Sequence, residues 1–154
     1  MASVLMVCLG NICRSPLAEA ALRAEAKRAG LDITADSAGT GNWHAGNPPD
    51  RRAQAVALGH GVDISGYRAR QVQPADFRRF THIFALDPDN LSDLRRIAPA
   101  DGVAELRLLM DMVPGREGTG VEDPYYGDDA RFETSWDDVS AAARGIVALL
   151  RTDR

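Results

Sequence analysis

The chain has 154 residues, which suits one domain of ordinary size, expected to span 1–154. Hydrophobic residues make up 45% and charged residues 26%, a balance that builds one solid core and excludes wholesale disorder. With 18 basic and 22 acidic residues the formal net charge is -4, and no basic block is long enough to act as a nucleic-acid stripe.

The apolar run over 4–9 is far too short to span a membrane and has no positive segment before it. No membrane partner is expected, and the expected compartment is the cytoplasm. The two cysteines, Cys8 and Cys13, lie close together in a pattern that fits neither a disulfide framework nor a Cys-x-x-Cys redox or zinc site. His44, His60 and His82 have no metal-ligand spacing, so no metal and no cofactor are expected.

Along the chain, Val4, Leu5, Met6 and Val7 predict a strand buried on both faces that ends at Cys8. A polar turn follows, and then a segment over 16–29 rich in Ala, Leu, Glu and Arg that predicts a helix. Ser15 stands where an N-cap belongs, Pro16 suits the first helical position, and Gly30 suits the stop. A second strand is expected over 33–38, then a loop dense in Gly, Asn and Pro over 39–49. Asp50 can cap a helix running to about Gly59, and a short helix is expected over 74–80. A third strand over 82–86 leads to a helix after Pro88, and a fourth strand is expected over 104–110. The segment 112–129 reads as loop, and a last helix over 135–151 carries Val139, Ala143, Ile146, Val147 and Leu150 on one face. Alternating strands and helices imply a small doubly wound α/β fold, a four-stranded parallel sheet with helices on both faces. Such folds bind ligands beyond the carboxyl ends of the strands, which points to the turn after Cys8.

That turn reads Cys8-Leu9-Gly10-Asn11-Ile12-Cys13-Arg14-Ser15. A strand enters it and a helix N-terminus closes it, so backbone N–H groups can curl around an anion and the helix dipole favours negative charge. Gly10 lets the loop turn where a side chain would intrude. Arg14 can grip two phosphate oxygens with its planar fork. The field that holds phosphate also favours a thiolate at Cys8, and a thiolate behind a bound phosphoryl group is an activated nucleophile. A nucleotide loop of the Walker type is excluded, because no Gly-Lys-Ser or Gly-Lys-Thr ending exists.

The stretch Val7-Cys8-Leu9-Gly10-Asn11-Ile12-Cys13-Arg14-Ser15-Pro16 resembles the signature of the low-molecular-weight protein tyrosine phosphatases. Asp36-Ser37-Ala38-Gly39-Thr40, Trp43, Pro48-Pro49-Asp50 and Ala69-Arg70-Gln71 resemble middle segments of that family, and Asp123-Pro124-Tyr125-Tyr126-Gly127 resembles its general-acid loop. The resemblance covers nearly the whole chain. It implies hydrolysis of phosphotyrosine through a phosphocysteine on Cys8, without a metal. The phosphate would sit on the loop Leu9, Gly10, Asn11, Ile12, Cys13 and Arg14. Asp123 would protonate the leaving group, and Pro124 would hold its backbone extended. By the same match Trp43 and Tyr125, with Tyr126, are walls of an aromatic slot. Asn11, Ser15 and Ser37 match positions that brace the loop. A histidine usually completes that bracing network; here its position carries Tyr67, and His60 is the other candidate. Family members with a second loop cysteine suggest a redox pair of Cys8 and Cys13. The expected partner is a tyrosine-phosphorylated protein, a bacterial tyrosine kinase among the candidates, and the chain is expected to be a monomer or weak dimer.

Two other readings compete. Arsenate reductases share this loop in some families but relay oxidation through further cysteines, which this chain lacks beyond Cys13. A catalytically inactive phosphoprotein-binding module is opposed by the intact Cys8, Arg14 and Asp123. Leu86-Asp87-Pro88-Asp89 has a slight likeness to magnesium-dependent aspartyl-phosphate phosphatases, but capping of the following helix by Asp87 explains it better.

Overall fold

The first strand, β1 (Ala2–Cys8), owes its place to the alternation of two apolar faces. Val4 and Met6 pack into one core layer and Leu5 and Val7 into the other, so the strand is central and buried on both sides. This is a computed structural model, and it describes residues 1–152; the last two positions of the expected domain lie outside the described residues.

Helix α1 (Arg14–Arg28) follows, then β2 (Ile33–Gly39), α2 (Arg51–Gly59), α3 (Asp76–Arg79) and β3 (His82–Ala85). The chain continues through α4 (Pro88–Ile97), β4 (Glu105–Leu108), a 3₁₀ turn (Leu109–Met112) and α5 (Asp129–Thr152). All neighbouring strands run parallel in the order β2-β1-β3-β4. Helices α1, α2 and α5 share one core layer with Val4, Met6 and Phe84. Phe77 of α3 and Leu94 of α4 pack on the opposite face with Leu5 and Ile83. The doubly wound four-stranded sheet expected from the sequence is the fold observed.

The caps and ends differ in instructive ways. Asp50 caps α2 as expected, accepting from the Arg52 N–H at 2.8 Å. Asp87 caps α4, accepting from the Asn90 N–H at 2.7 Å. Ser15 does not cap α1: the helix begins at Arg14 with Cys13 at the cap position and no side-chain cap bond, and the Ser15 hydroxyl is turned to the Cys8 sulfur instead. The fourth strand is shorter than expected because the chain turns into the 3₁₀ segment at Leu109. Helix α5 starts at Asp129, well before 135. Thr134 and Ser135 bond back to the Ala130 and Arg131 carbonyls within this first part of the helix, and Phe132 is fully buried.

Strand β1 lies between β2 and β3, so the chain leaves its carboxyl end where its two neighbours diverge. That is the switch point of a doubly wound sheet, and the loop from Cys8 to Arg14 occupies it.

Candidate active site

The loop closes on the sulfur that begins it. The Asn11 N–H donates to Cys8 Sγ at 3.3 Å, and the Ser15 hydroxyl lies 3.0 Å from the same sulfur. The sharp turn is made at Asn11, with φ 58°, and not at Gly10. Asparagine tolerates this left-handed region better than most side chains. At Gly10 a Cβ would stand 3.0 Å from His44 Cδ2, so the imidazole would have to give way. Gly39, opposite Cys8 in the sheet, is tighter still, since a Cβ would meet the Leu9 carbonyl oxygen at 2.8 Å. The loop thus rests on bare β2 backbone, and the Thr40 and Gly41 N–H groups donate to the Cys8 and Leu9 carbonyls, each at 2.9 Å.

Arg14 is buried and already held. Its Nη1 donates to Asp87 Oδ2 at 2.6 Å and to the Val121 carbonyl at 3.0 Å, while Nη2 lies 3.8 Å from Asp123 Oδ2. Burial disfavours the cation, but Cys8, Asp87 and Asp123 outweigh it and raise the Arg14 pKa above its ordinary value. Asp87 therefore has a second task that sequence reading missed, because its partner lies far away in the chain. The same contacts argue against Asp87 as a nucleophile: one oxygen caps a helix and the other holds Arg14.

Beneath the loop lies a chain of buried polar groups. Asn11 Nδ2 donates to Ser15 Oγ at 2.8 Å and to Ser37 Oγ at 3.0 Å, and Asn11 Oδ1 accepts from the Arg70 N–H at 3.0 Å. The three expected bracing residues are thus brought together. Asn11 lies under the loop and braces it, whereas Leu9, Gly10, Ile12, Cys13 and Arg14 line the hollow above. Neither candidate for the missing histidine joins the network among the described residues. His60 ends α2, stacks on Trp136 with ring centroids 4.8 Å apart, and meets Glu133 at 3.0 Å. Tyr67 packs against the core, and burial, with Glu19 nearby, pushes its hydroxyl pKa up to about 12. The group that follows Ser37 is Glu19, which sequence reading did not single out: Ser37 Oγ donates to Glu19 Oε1 at 2.8 Å.

The hollow above Cys8 has a volume of about 220 Å³. Trp43, Tyr125 and Tyr126 line it, as expected for walls, with Asp123 among them. The Trp43 ring lies so close over Gly41 that any side chain at 41 would collide with it. Tyr126 is 95% exposed and meets the Tyr125 ring edge-on at 4.9 Å. His44 also lines the hollow; sequence reading weighed it only as a metal ligand. The loop that follows Asp123 is tied down by Arg52, another residue the sequence did not mark. Its guanidinium bonds to Asp50, donates to the Tyr125 carbonyl at 2.9 Å and the Gly127 carbonyl at 3.0 Å, and lies over the Tyr125 ring. Cys13 is buried, and burial, with Asp50 and Cys8 nearby, pushes its thiol pKa well up.

The Cys8 sulfur, a buried guanidinium and a carboxylate thus meet at one aromatic-walled hollow. The sequence pattern of a family described as low molecular weight phosphotyrosine protein phosphatase matches residues 3–154. The chain belongs to that family. A low molecular weight protein-tyrosine-phosphatase of Streptomyces coelicolor is 45% identical over 153 residues, covering 96% of this chain and 93% of the relative. The crystal structure of YfkJ from Bacillus subtilis superposes with a TM-score of 0.91 at 39% identity, covering 100% of this chain and 97% of that one. A structure titled as a Drosophila arginine phosphatase also reaches a TM-score of 0.91, at 30% identity, covering 98% of this chain and 99% of that one. The enzyme is a hydrolase of phosphotyrosine in proteins, and a phosphocysteine route is typical of its family.

Proposed function

We propose that Cys8, Arg14 and Asp123 act as nucleophile, phosphate clamp and proton carrier in this hydrolysis. The convergence of the three on one hollow carries the reading. The phosphate is received by the loop N–H groups and the N-terminal end of α1, with the free edge of Arg14 across its equatorial oxygens. Cys8 Sγ attacks phosphorus in line and the bond to the phenolic oxygen breaks, while Asp123 delivers a proton to that oxygen. Water then attacks the phosphocysteine, Asp123 takes a proton from it, and Cys8 leaves as the thiolate. Arg14 and the loop amides meet the charge in both transition states, where positioning and electrostatics supply most of the catalysis.

The aromatic lining of the hollow suits a flat ring, and a phosphotyrosine is expected to reach the loop better than the shorter phosphoserine ester. Tyrosine-phosphorylated proteins, a tyrosine kinase among them, are the proposed substrates. The cytoplasm is the proposed compartment, since a nucleophilic Cys8 must stay reduced there. No helix among the described residues is long and apolar enough to cross a membrane. A monomer or weak dimer is the proposed working form.

A leaving-group series tests the acid. Asp123→Ala is expected to lower kcat steeply for phenols of high pKa, by about 10²–10³-fold, and far less for p-nitrophenyl phosphate. A low-pKa phenol departs without a proton, so equal losses across the series would remove Asp123 from the role. Phosphoarginine belongs in the same assay, and the reading requires the aryl phosphates to be the better substrates.

Cys13 is proposed as the resolving thiol of a redox pair. Peroxide would convert the Cys8 thiolate to a sulfenic acid; attack by the Cys13 sulfur would expel water and form the disulfide, which two external thiols reduce. Cys13→Ser is expected to keep substantial activity but to lose recovery by dithiothreitol after peroxide. Mass spectrometry of the oxidised wild type should show a Cys8–Cys13 crosslink. Full recovery of the variant, with no crosslink in the wild type, would reduce Cys13 to packing.

A further inference from the structure

The polar chain beneath the loop ends on a buried carboxylate that needs a cation. Glu19, on α1, keeps only 4% of its side chain exposed. Burial pushes its pKa up, against the pull of Ser37 and Arg23. Arg23 stands one helical turn on, with Nε 3.0 Å and Nη2 2.9 Å from Glu19 Oε2. Its Nη2 also donates to the Ala35 carbonyl at 2.6 Å, and its guanidinium lies 5.9 Å from the Tyr67 ring centre. A guanidinium and an aromatic face thus stand beside the network.

We infer that Arg23 is a positioning residue for catalysis, keeping Glu19 ionised so that Ser37 and Asn11 hold the loop amide that faces Cys8. The inference rests on Cys8 being the nucleophile. An ionised carboxylate only accepts, so the Ser37 hydroxyl must donate to it, leaving the Ser37 oxygen to accept from Asn11 Nδ2. The Asn11 amide cannot turn over, because its oxygen is engaged by the Arg70 N–H. Those two anchors hold Asn11 in its left-handed conformation, which aims its N–H at Cys8 Sγ. A protonated Glu19 would keep the Ser37 bond only through a neutral oxygen, with the proton on Oε2, or turn its own O–H on Ser37 from Oε1; either way the charge-assisted bond is weakened and the anchor loosens.

The groups facing Glu19 are few. Arg23 lies on its own helix, Ser37 and Asp36 on β2, and Tyr67 on the segment before α3. Asp36 and Tyr67 supply no cation, and Asp36 is itself paired with Arg70 at 3.2 Å. Removing Arg23 therefore leaves burial and Asp36, which both raise the carboxyl pKa, opposed only by the Ser37 bond.

The sign of the effect follows. Without Arg23, Glu19 takes up a proton at a higher pH, so activity is lost at the acidic end and kept at the basic end. Arg23→Met is expected to fall about tenfold in kcat/KM near pH 5 and to stay within about twofold of wild type near pH 7.5. Arg23→Lys should restore most of the acidic activity. Glu19→Gln should lose activity by a similar factor at every pH, and adding Arg23→Met to it should change nothing further. A pH-independent loss in Arg23→Met, an unchanged profile, or additive losses in the double variant would each overturn the inference. Arg23 is 52% exposed on its side chain, so its variants should fold, with far-UV circular dichroism as the check. An active Cys8→Ser enzyme would instead refute the nucleophile assignment, and the two failures are therefore distinct.

Discussion

Replacing Cys8 by serine is expected to lower turnover by about 10⁴-fold or more while leaving the fold and anion binding in place. The sulfur is buried at the end of a central strand, and its neighbours are the Ser15 hydroxyl and the Asn11 N–H. A serine oxygen can use both, so the loop keeps its shape. The reaction still fails, because an alcohol is a far weaker acid than a thiol and Asp123 must begin the cycle protonated to serve the leaving group. The loop amides and Arg14 are untouched, so inorganic phosphate or vanadate should still bind. Stopped-flow turnover of p-nitrophenyl phosphate and calorimetric titration with vanadate separate the two effects. Measurable steady turnover by pure Cys8→Ser protein would end the covalent mechanism.

Arg14→Lys is the second large effect, about 10³-fold in kcat. The substitution keeps the charge, and that is the point of it. Arg14 already serves Asp87 and the Val121 carbonyl through Nη1. Its remaining N–H groups lie in the same plane and can span two phosphate oxygens at once. An ammonium is a point charge on a flexible stem and cannot do both. The loss should appear in kcat more than in KM, since the fork matters most when charge builds on the equatorial oxygens. A variant within tenfold of wild type would mean that charge alone suffices.

Arg14 also shows what a sequence withholds. The strand, the loop and the helix that carry Cys8 and Arg14 were legible because each rests on local signals: an apolar run, a Gly-containing turn and a run of helix formers, although the helix begins at Arg14, two residues before Pro16. The partner that holds Arg14 was visible only in its local duty. Asp87 reads as a helix cap, and it is one, but its other oxygen reaches a residue brought near by the sheet. Arg52 is the same case. In the sequence it is one of two arginines after a cap, and in the fold it fastens the loop after Asp123 by two carbonyls.

Ser15 marks the boundary most sharply. Its type and place fit a cap, and the helix starts without one, because β1 and α1 bring Cys8 and Asn11 within reach of its hydroxyl. Glu19 and Arg23 form an i,i+4 pair that on most helices would be a solvated surface contact. The packing of α1 on β2 buries one end of it against Ser37. The sequence by itself determined the fold class and singled out Cys8, Arg14 and Asp123 as candidate site residues, since the fold follows from periodicity and the residues stand in contiguous motifs. Only the tertiary structure decided which polar side chains serve them. Hydrogen bonds reach only about 3 Å, and strand pairing sets which distant residues come that close.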